Sequence, residues 1–113
     1  MLRITDERQL DELWQISYQR PVLIFKHSLA CGASFAAQAH VRMLLERPAA
    51  AGLEYGLVEV QKARGVSDAL ARRSGVRHET PQALVIREGR VVWHGSHSQV
   101  HREALESALA RAV

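Results

Sequence analysis

The chemistry open to this chain of 113 residues centres on one atom, the sulfur of Cys31, because it has a single cysteine. Ser34 stands one helical turn further on, placed to lie over the same turn and donate its hydroxyl to a thiolate. Gly32, next to the cysteine, brings no side chain that would crowd a bulky sulfur substrate. Lys26 and His27 precede the cysteine, and either could supply positive charge that favours the ionised thiol. Far along the chain, Arg77-His78-Glu79-Thr80-Pro81 combines two more basic side chains with an X-Pro bond. A lone cysteine excludes an intramolecular disulfide, a cysteine-rich zinc site and a two-cysteine redox cycle within one chain. It leaves exchange with an outside thiol, or the inert buried side chain that a solitary cysteine often is.

The elements around Cys31 favour the first. Val22-Leu23-Ile24-Phe25 is a short unbroken apolar run, as expected of a strand covered on both faces. Phe35 to Leu45 is rich in helix formers without a breaker, and Pro48 and Gly52 end it. Cys31 therefore falls between a buried strand and a helix start, where unpaired helix N–H groups favour thiolate over thiol. More thiolate is offset by weaker intrinsic nucleophilicity, so attack gains little. The larger benefit is faster departure from a mixed disulfide, which suits exchange chemistry.

The rest of the chain supplies the frame. Leu2-Arg3-Ile4 alternates like a short edge strand. Thr5 offers an N-cap hydroxyl ahead of Asp6 and Glu7, and Leu10, Leu13 and Trp14 give a helix over about 5–18, stopped before Pro21. Tyr55 to Val60 reads as a third strand, and Val66 to Ser74 as a short helix closed by Gly75. Ala83–Ile86 and Val91–Trp93 flank Arg87-Glu88-Gly89-Arg90 as a hairpin. Ser96-x-x-Gln99 reads as a capping box opening a final helix, with Val100, Ala104, Leu105, Ala108 and Leu109 on its apolar face.

The order β-α-β-α-β-α-β-β-α makes residues 1–113 one α/β domain, a central mixed sheet flanked by helices. This is the element order of the thioredoxin-like fold. In that fold a cis-proline facing the catalytic cysteine occupies the position of Pro81, so a cis Thr80–Pro81 bond is expected.

Charge adds little. Fifteen basic against twelve acidic residues give +3, spread along the chain, and six aromatics form no stacking platform for nucleic acid. No apolar run approaches the ~18 residues of a membrane span, and the N-terminus lacks the apolar core of a signal peptide. The expected compartment is the cytoplasm. His94, His97 and His101 have no carboxylate or cysteine beside them and read as surface histidines, not metal ligands. His40 reads as a solvent-facing helix residue.

Two segments resemble one family. Lys26-His27-Ser28-Leu29-Ala30-Cys31-Gly32-Ala33-Ser34 resembles the Lys-His-Ser…Cys-x-x-Ser stretch of the monothiol bacilliredoxins of the YtxJ type. Gln61 to Ser67, Val76 to Gln82 and Trp93-His94-Gly95-Ser96-His97 resemble its later blocks. The resemblance implies a thioredoxin-like fold, no permanently bound cofactor, and exchange with bacillithiol, a small anionic thiol. It implies that Cys31 takes bacillithiol from bacillithiolated client proteins and is restored by a second low-molecular-weight thiol. Pro81 carries over as the cis-proline, and Ser34 occupies the usual resolving-cysteine position. Lys26, His27, Gly32, Arg77, His78 and Thr80 are the candidates for contact with the thiol, and Arg64 is a further candidate for its carboxylates.

The family commonly reads Thr-Cys-Pro-Ile-Ser where this chain has Ala30-Cys31-Gly32-Ala33-Ser34, so the turn loses a stiffening proline. Cys31-Gly32-x-Ser34 is also similar to the Cys-Gly-Phe-Ser motif of monothiol glutaredoxins, which hold an iron–sulfur cluster between two subunits with glutathione. Their later double-glycine and aspartate contact is not reproduced, since His94-Gly95-Ser96-His97 occupies that region. A third alternative is a thioredoxin-fold binding module in which Cys31 is incidental.

Overall fold

The apolar run at Val22–Phe25 forms the middle of a five-stranded sheet, as its burial on both faces requires. The computed structural model describes residues 2–113. The elements run β1 (Leu2–Arg3), α1 (Glu7–Ile16), β2 (Val22–His27), α2 (Gly32–Leu45), β3 (Glu54–Glu59), α3 (Arg64–Ser74), β4 (Gln82–Arg87), β5 (Arg90–Ser96) and α4 (Arg102–Arg111). Short 3₁₀ turns lie at Pro48–Ala50 and His97–Gln99. The strand order is β1-β3-β2-β4-β5, parallel among the first three and antiparallel from β2 to β4 to β5. This is the thioredoxin-like architecture that the element order led us to expect.

Period-two alternation splits the core into two layers. Leu23, Phe25, Ala83 and Val85 pack against Val41 and Leu44 of α2 and Leu105 and Leu109 of α4. Val22, Ile24, Leu84 and Ile86 pack against Leu10 and Leu13 of α1 and Val66 and Leu70 of α3. The β4–β5 hairpin turns through Glu88 (φ 55°) and Gly89 (φ 76°), a two-residue loop shorter than the four-residue connection the sequence suggested. Its tip is tied to the end of α1: Trp14 Nε1 donates to the Gly89 carbonyl at 3.0 Å, and Glu88 N–H donates to the Ser17 carbonyl at 2.7 Å.

Three expectations at helix ends are corrected. Helix α1 is capped by Asp6 rather than Thr5, because Asp6 Oδ1 accepts from Gln9 N at 3.0 Å and Gln9 Oε1 accepts from the Asp6 N–H, a reciprocal capping box. The Ser96/Gln99 capping box exists, but it opens the 3₁₀ turn at His97–Gln99. Helix α4 starts later, at Arg102, and two imidazoles receive its first N–H groups. Arg102 N donates to His40 Nδ1 at 3.2 Å, and Ala104 N donates to His101 Nδ1 at 3.3 Å. His40 is thus a half-buried link between α2 and α4, not a solvent-facing residue. Among the described residues no helix is long and apolar enough to cross a membrane.

Candidate active site at the end of β2

Four chain segments leave the sheet at one edge. Parallel β2 and β3 both end there, with His27 opposite Glu59. Antiparallel β4 begins there, with Gln82 opposite Lys26, and β5 ends there, with Ser96 opposite Gln82. The connection carrying Cys31, the β3–α3 connection carrying Gln61, the Thr80-Pro81 segment and the His97 turn therefore share one rim.

Cys31 is the N-cap of α2, in extended conformation (φ −124°, ψ 122°), with its carbonyl accepting the Ser34 N–H at 3.1 Å. It is partly exposed, and its side chain makes no capping hydrogen bond. The thiol thus stands at the open end of a helix with first-turn N–H groups unclaimed by a cap side chain. Gly32 follows as the first helical residue, exposed, and a Cβ built there would meet nothing within 4 Å. The protein itself does not require glycine at this point.

Ser34 departs from expectation. Its side chain is buried, and its Oγ accepts the Ser28 N–H at 2.9 Å while lying 2.8 Å from His27 Nδ1. Burial holds the His27 imidazole below its usual pKa, against the opposing pull of Glu59 and the Ser34 bond. The Ser34 hydroxyl is thus engaged by His27 and the Ser28 N–H at the end of β2. His27 is itself buried, with its ring 4.7 Å edge-on from Phe35 and 5.8 Å from Phe25. It holds Ser34, and with it the first turn of α2, against the end of β2.

Lys26 points the other way. It is fully buried, and Nζ donates to the Ser67 carbonyl of α3 at 3.5 Å. Burial pulls its pKa down to about 8 despite the nearby Asp68 carboxylate. Lys26 therefore flanks α3 rather than α2.

The loop into Cys31 is strapped by a residue to which the sequence assigned no role. Gln61 Nε2 donates to Ser28 Oγ at 2.8 Å, and Leu29 N donates to Gln61 Oε1 at 3.0 Å. The Thr80–Pro81 bond is cis, and the buried Pro81 offers its carbonyl to the His97 N–H at 2.8 Å. His97 adopts φ 55°, rare for a residue other than glycine, and this aims its N–H at Pro81. Gln82, also buried, donates to the Arg77 carbonyl at 2.9 Å and fixes the segment before the proline.

Two cavities open along this rim, and they separate the neighbours Arg77 and His78. His78 lines one of about 190 Å³ with Val60, Gln61, Arg64, Ser67 and Asp68. Arg77 lines another of about 230 Å³ that includes Glu79, Gln82, His94 and Ser96. The half-buried Thr80 lies between the loop that carries them and Pro81. Burial, reinforced by the Lys26 charge, lowers the pKa of His78, whose Nδ1 sits 3.3 Å from Ser67 Oγ.

Comparison with known proteins agrees with this geometry. Residues 2–105 match the family described as monothiol bacilliredoxin BrxC. A solved structure described as a candidate oxidoreductase with a thioredoxin fold superposes with TM-score 0.82 at 26% identity, covering 95% of this chain and 91% of that one. The thioredoxin of Fasciola hepatica superposes with TM-score 0.79 at 16% identity over 100% of both chains. The thioredoxin of Malassezia sympodialis gives 0.78 at 14% identity over 99% of this chain and 90% of that one. The two thioredoxins, at such identity, speak for the fold alone.

Proposed function

The chain belongs to the monothiol bacilliredoxin family, and from that premise we propose that it removes bacillithiol from protein mixed disulfides through Cys31. The observation that carries this reading is the placement of the single thiol: partly exposed, at the N-cap of α2, on the rim that also holds Pro81. In the first step the Cys31 thiolate attacks the bacillithiol sulfur of a client–bacillithiol disulfide. A Cys31–bacillithiol bond forms, the client–sulfur bond breaks, and the client thiolate leaves with the electron pair and takes a proton from solvent. In the second step a low-molecular-weight thiolate attacks the bacillithiol sulfur and releases Cys31. The client is reduced, the two small thiols are oxidised to one disulfide, and Cys31 returns unchanged.

Ser34 suits such a one-thiol route, because it fills the resolving-cysteine position with a hydroxyl held inward by His27 and Ser28. Exchange at Cys31 then waits for a thiol from solution. The test is the rate of bacillithiol release from a bacillithiolated client incubated with wild type and with Cys31→Ser. The wild type is expected to accelerate release and the variant to match buffer. Equal release by the two would overturn the reading.

A further inference from the structure

We propose that the cavity lined by Gln61, Arg64, Ser67 and His78 seats the carboxylate end of the exchanging thiol, so that the protein selects an anionic thiol over a neutral one. The inference rests on the exchange role of Cys31 and assigns that site its ligand chemistry. Position comes first. Gln61 both lines the cavity and holds Ser28 and Leu29, which lead into Cys31. His78 lines the same cavity and leads into the cis Thr80–Pro81 bond. The cavity therefore lies on the same rim of the sheet as the thiol.

Size and charge narrow the occupant. About 190 Å³ is below the roughly 300–1,000 Å³ of sites that enclose a whole drug-sized ligand, so the cavity takes one end of a ligand. Arg64 lines it and takes part in no ion pair among the described residues. Behind the same wall lies the buried Lys26 ammonium, whose three N–H donors have one protein acceptor, the Ser67 carbonyl at 3.5 Å. Asp68 is the single carboxylate of the lining, so two cations face one anion there. A second carboxylate, brought by the ligand, balances the set, with Arg64 as the direct contact and Lys26 as buried charge in a medium that screens it weakly. The neighbouring cavity has the same one-to-one lining, Arg77 with Glu79, so the buried Lys26 ammonium behind Ser67 is what sets the Arg64 cavity apart.

The experiment measures KM and kcat on one client protein carrying either bacillithiol or 2-mercaptoethanol as its mixed-disulfide partner. Arg64→Ala is expected to raise KM for the bacillithiol disulfide about tenfold or more, as for loss of a charge-assisted hydrogen bond, with kcat little changed. It should leave kinetics on the neutral 2-mercaptoethanol disulfide unaltered, and Arg64→Lys should recover part of the loss. Arg72→Ala removes the same charge from an exposed position of α3 and should move neither substrate. An Arg64→Ala effect equal on both disulfides, or absent from both, would overturn the inference while leaving the exchange role standing. A wild type inactive on both disulfides would overturn the exchange role, and this inference with it.

Discussion

Lys26 and His27 are neighbours on β2, both bases and both buried, yet the sheet sends them to opposite environments. His27 faces α2 and finds a hydrogen-bond partner, the Ser34 hydroxyl. Lys26 faces α3 and finds one distant carbonyl. The difference follows from alternation along the strand, which turns one step in sequence into opposite faces. A buried group with a close hydrogen-bond partner fixes geometry, whereas one left with unmet donors keeps its charge available to its surroundings. The His27 side thus holds the helix that carries Cys31, and the Lys26 side gives the rim its positive field.

Substitutions on the two faces separate these roles. Phe25→Ala removes the ring beneath His27 and should cost about 3–5 kcal/mol in urea unfolding. Ile24→Val, one residue away on the α3 face, should cost only about 0.5–1.5 kcal/mol. A similar cost for both would erase the distinction.

Lys26→Met should stabilise the protein by about 1–4 kcal/mol at pH 7, as when buried ionic groups give way to apolar ones of similar volume. The sign of the pH dependence follows from a folded pKa of about 8 against the ordinary 10.5. Between those values the unfolded chain binds more protons, so wild-type stability should rise with pH from about 8 to 10.5. Unfolding titrations of Lys26→Met should lack that rise, and a variant less stable than wild type would break the comparison.

His27→Leu should go the other way, costing about 1–3 kcal/mol at pH 7 because the buried Ser34 hydroxyl loses a hydrogen-bond partner. The folded pKa of His27 lies below 6.5, so its contribution is complete above about pH 6.5 and is lost as pH falls through the folded value. The acid limb of the stability profile should flatten in the variant, with His78 and Glu79 contributing to what remains. The smallest effect belongs to Gly32→Pro. Open space at Gly32, a first helical position and an extended Cys31 before it all accept proline, so thermal unfolding should show a gain of about 0.4–1 kcal/mol.

Much of this frame was legible in the residues. The apolar run at Val22–Phe25, the helix formers after Cys31 and the Glu88-Gly89 turn are local signals, and the folded chain keeps them. The cis bond before Pro81 followed from the likeness of the element order to the thioredoxin-like fold, which carries a cis-proline there. What escaped depended on distant partners. The apolar run alone ended β2 at Phe25, because Lys26 and His27 hide the strand's continuation behind polar side chains. Ser34 looked like a donor to sulfur, since spacing shows which turn it occupies but not that His27 and Ser28 engage its hydroxyl. Gln61 and the imidazole caps of α4 act across the fold, where no local pattern announces them. The Ser96/Gln99 signature was read correctly as a box and wrongly as a helix start, because His97 first turns through a positive φ.

The most direct test is intact-mass analysis of the wild-type protein after brief mixing with a bacillithiolated client in the absence of any second thiol. Transfer is expected to appear as one bacillithiol adduct on Cys31, with an equal loss of adduct from the client. A client that keeps its bacillithiol while Cys31 stays unmodified would contradict the proposed exchange.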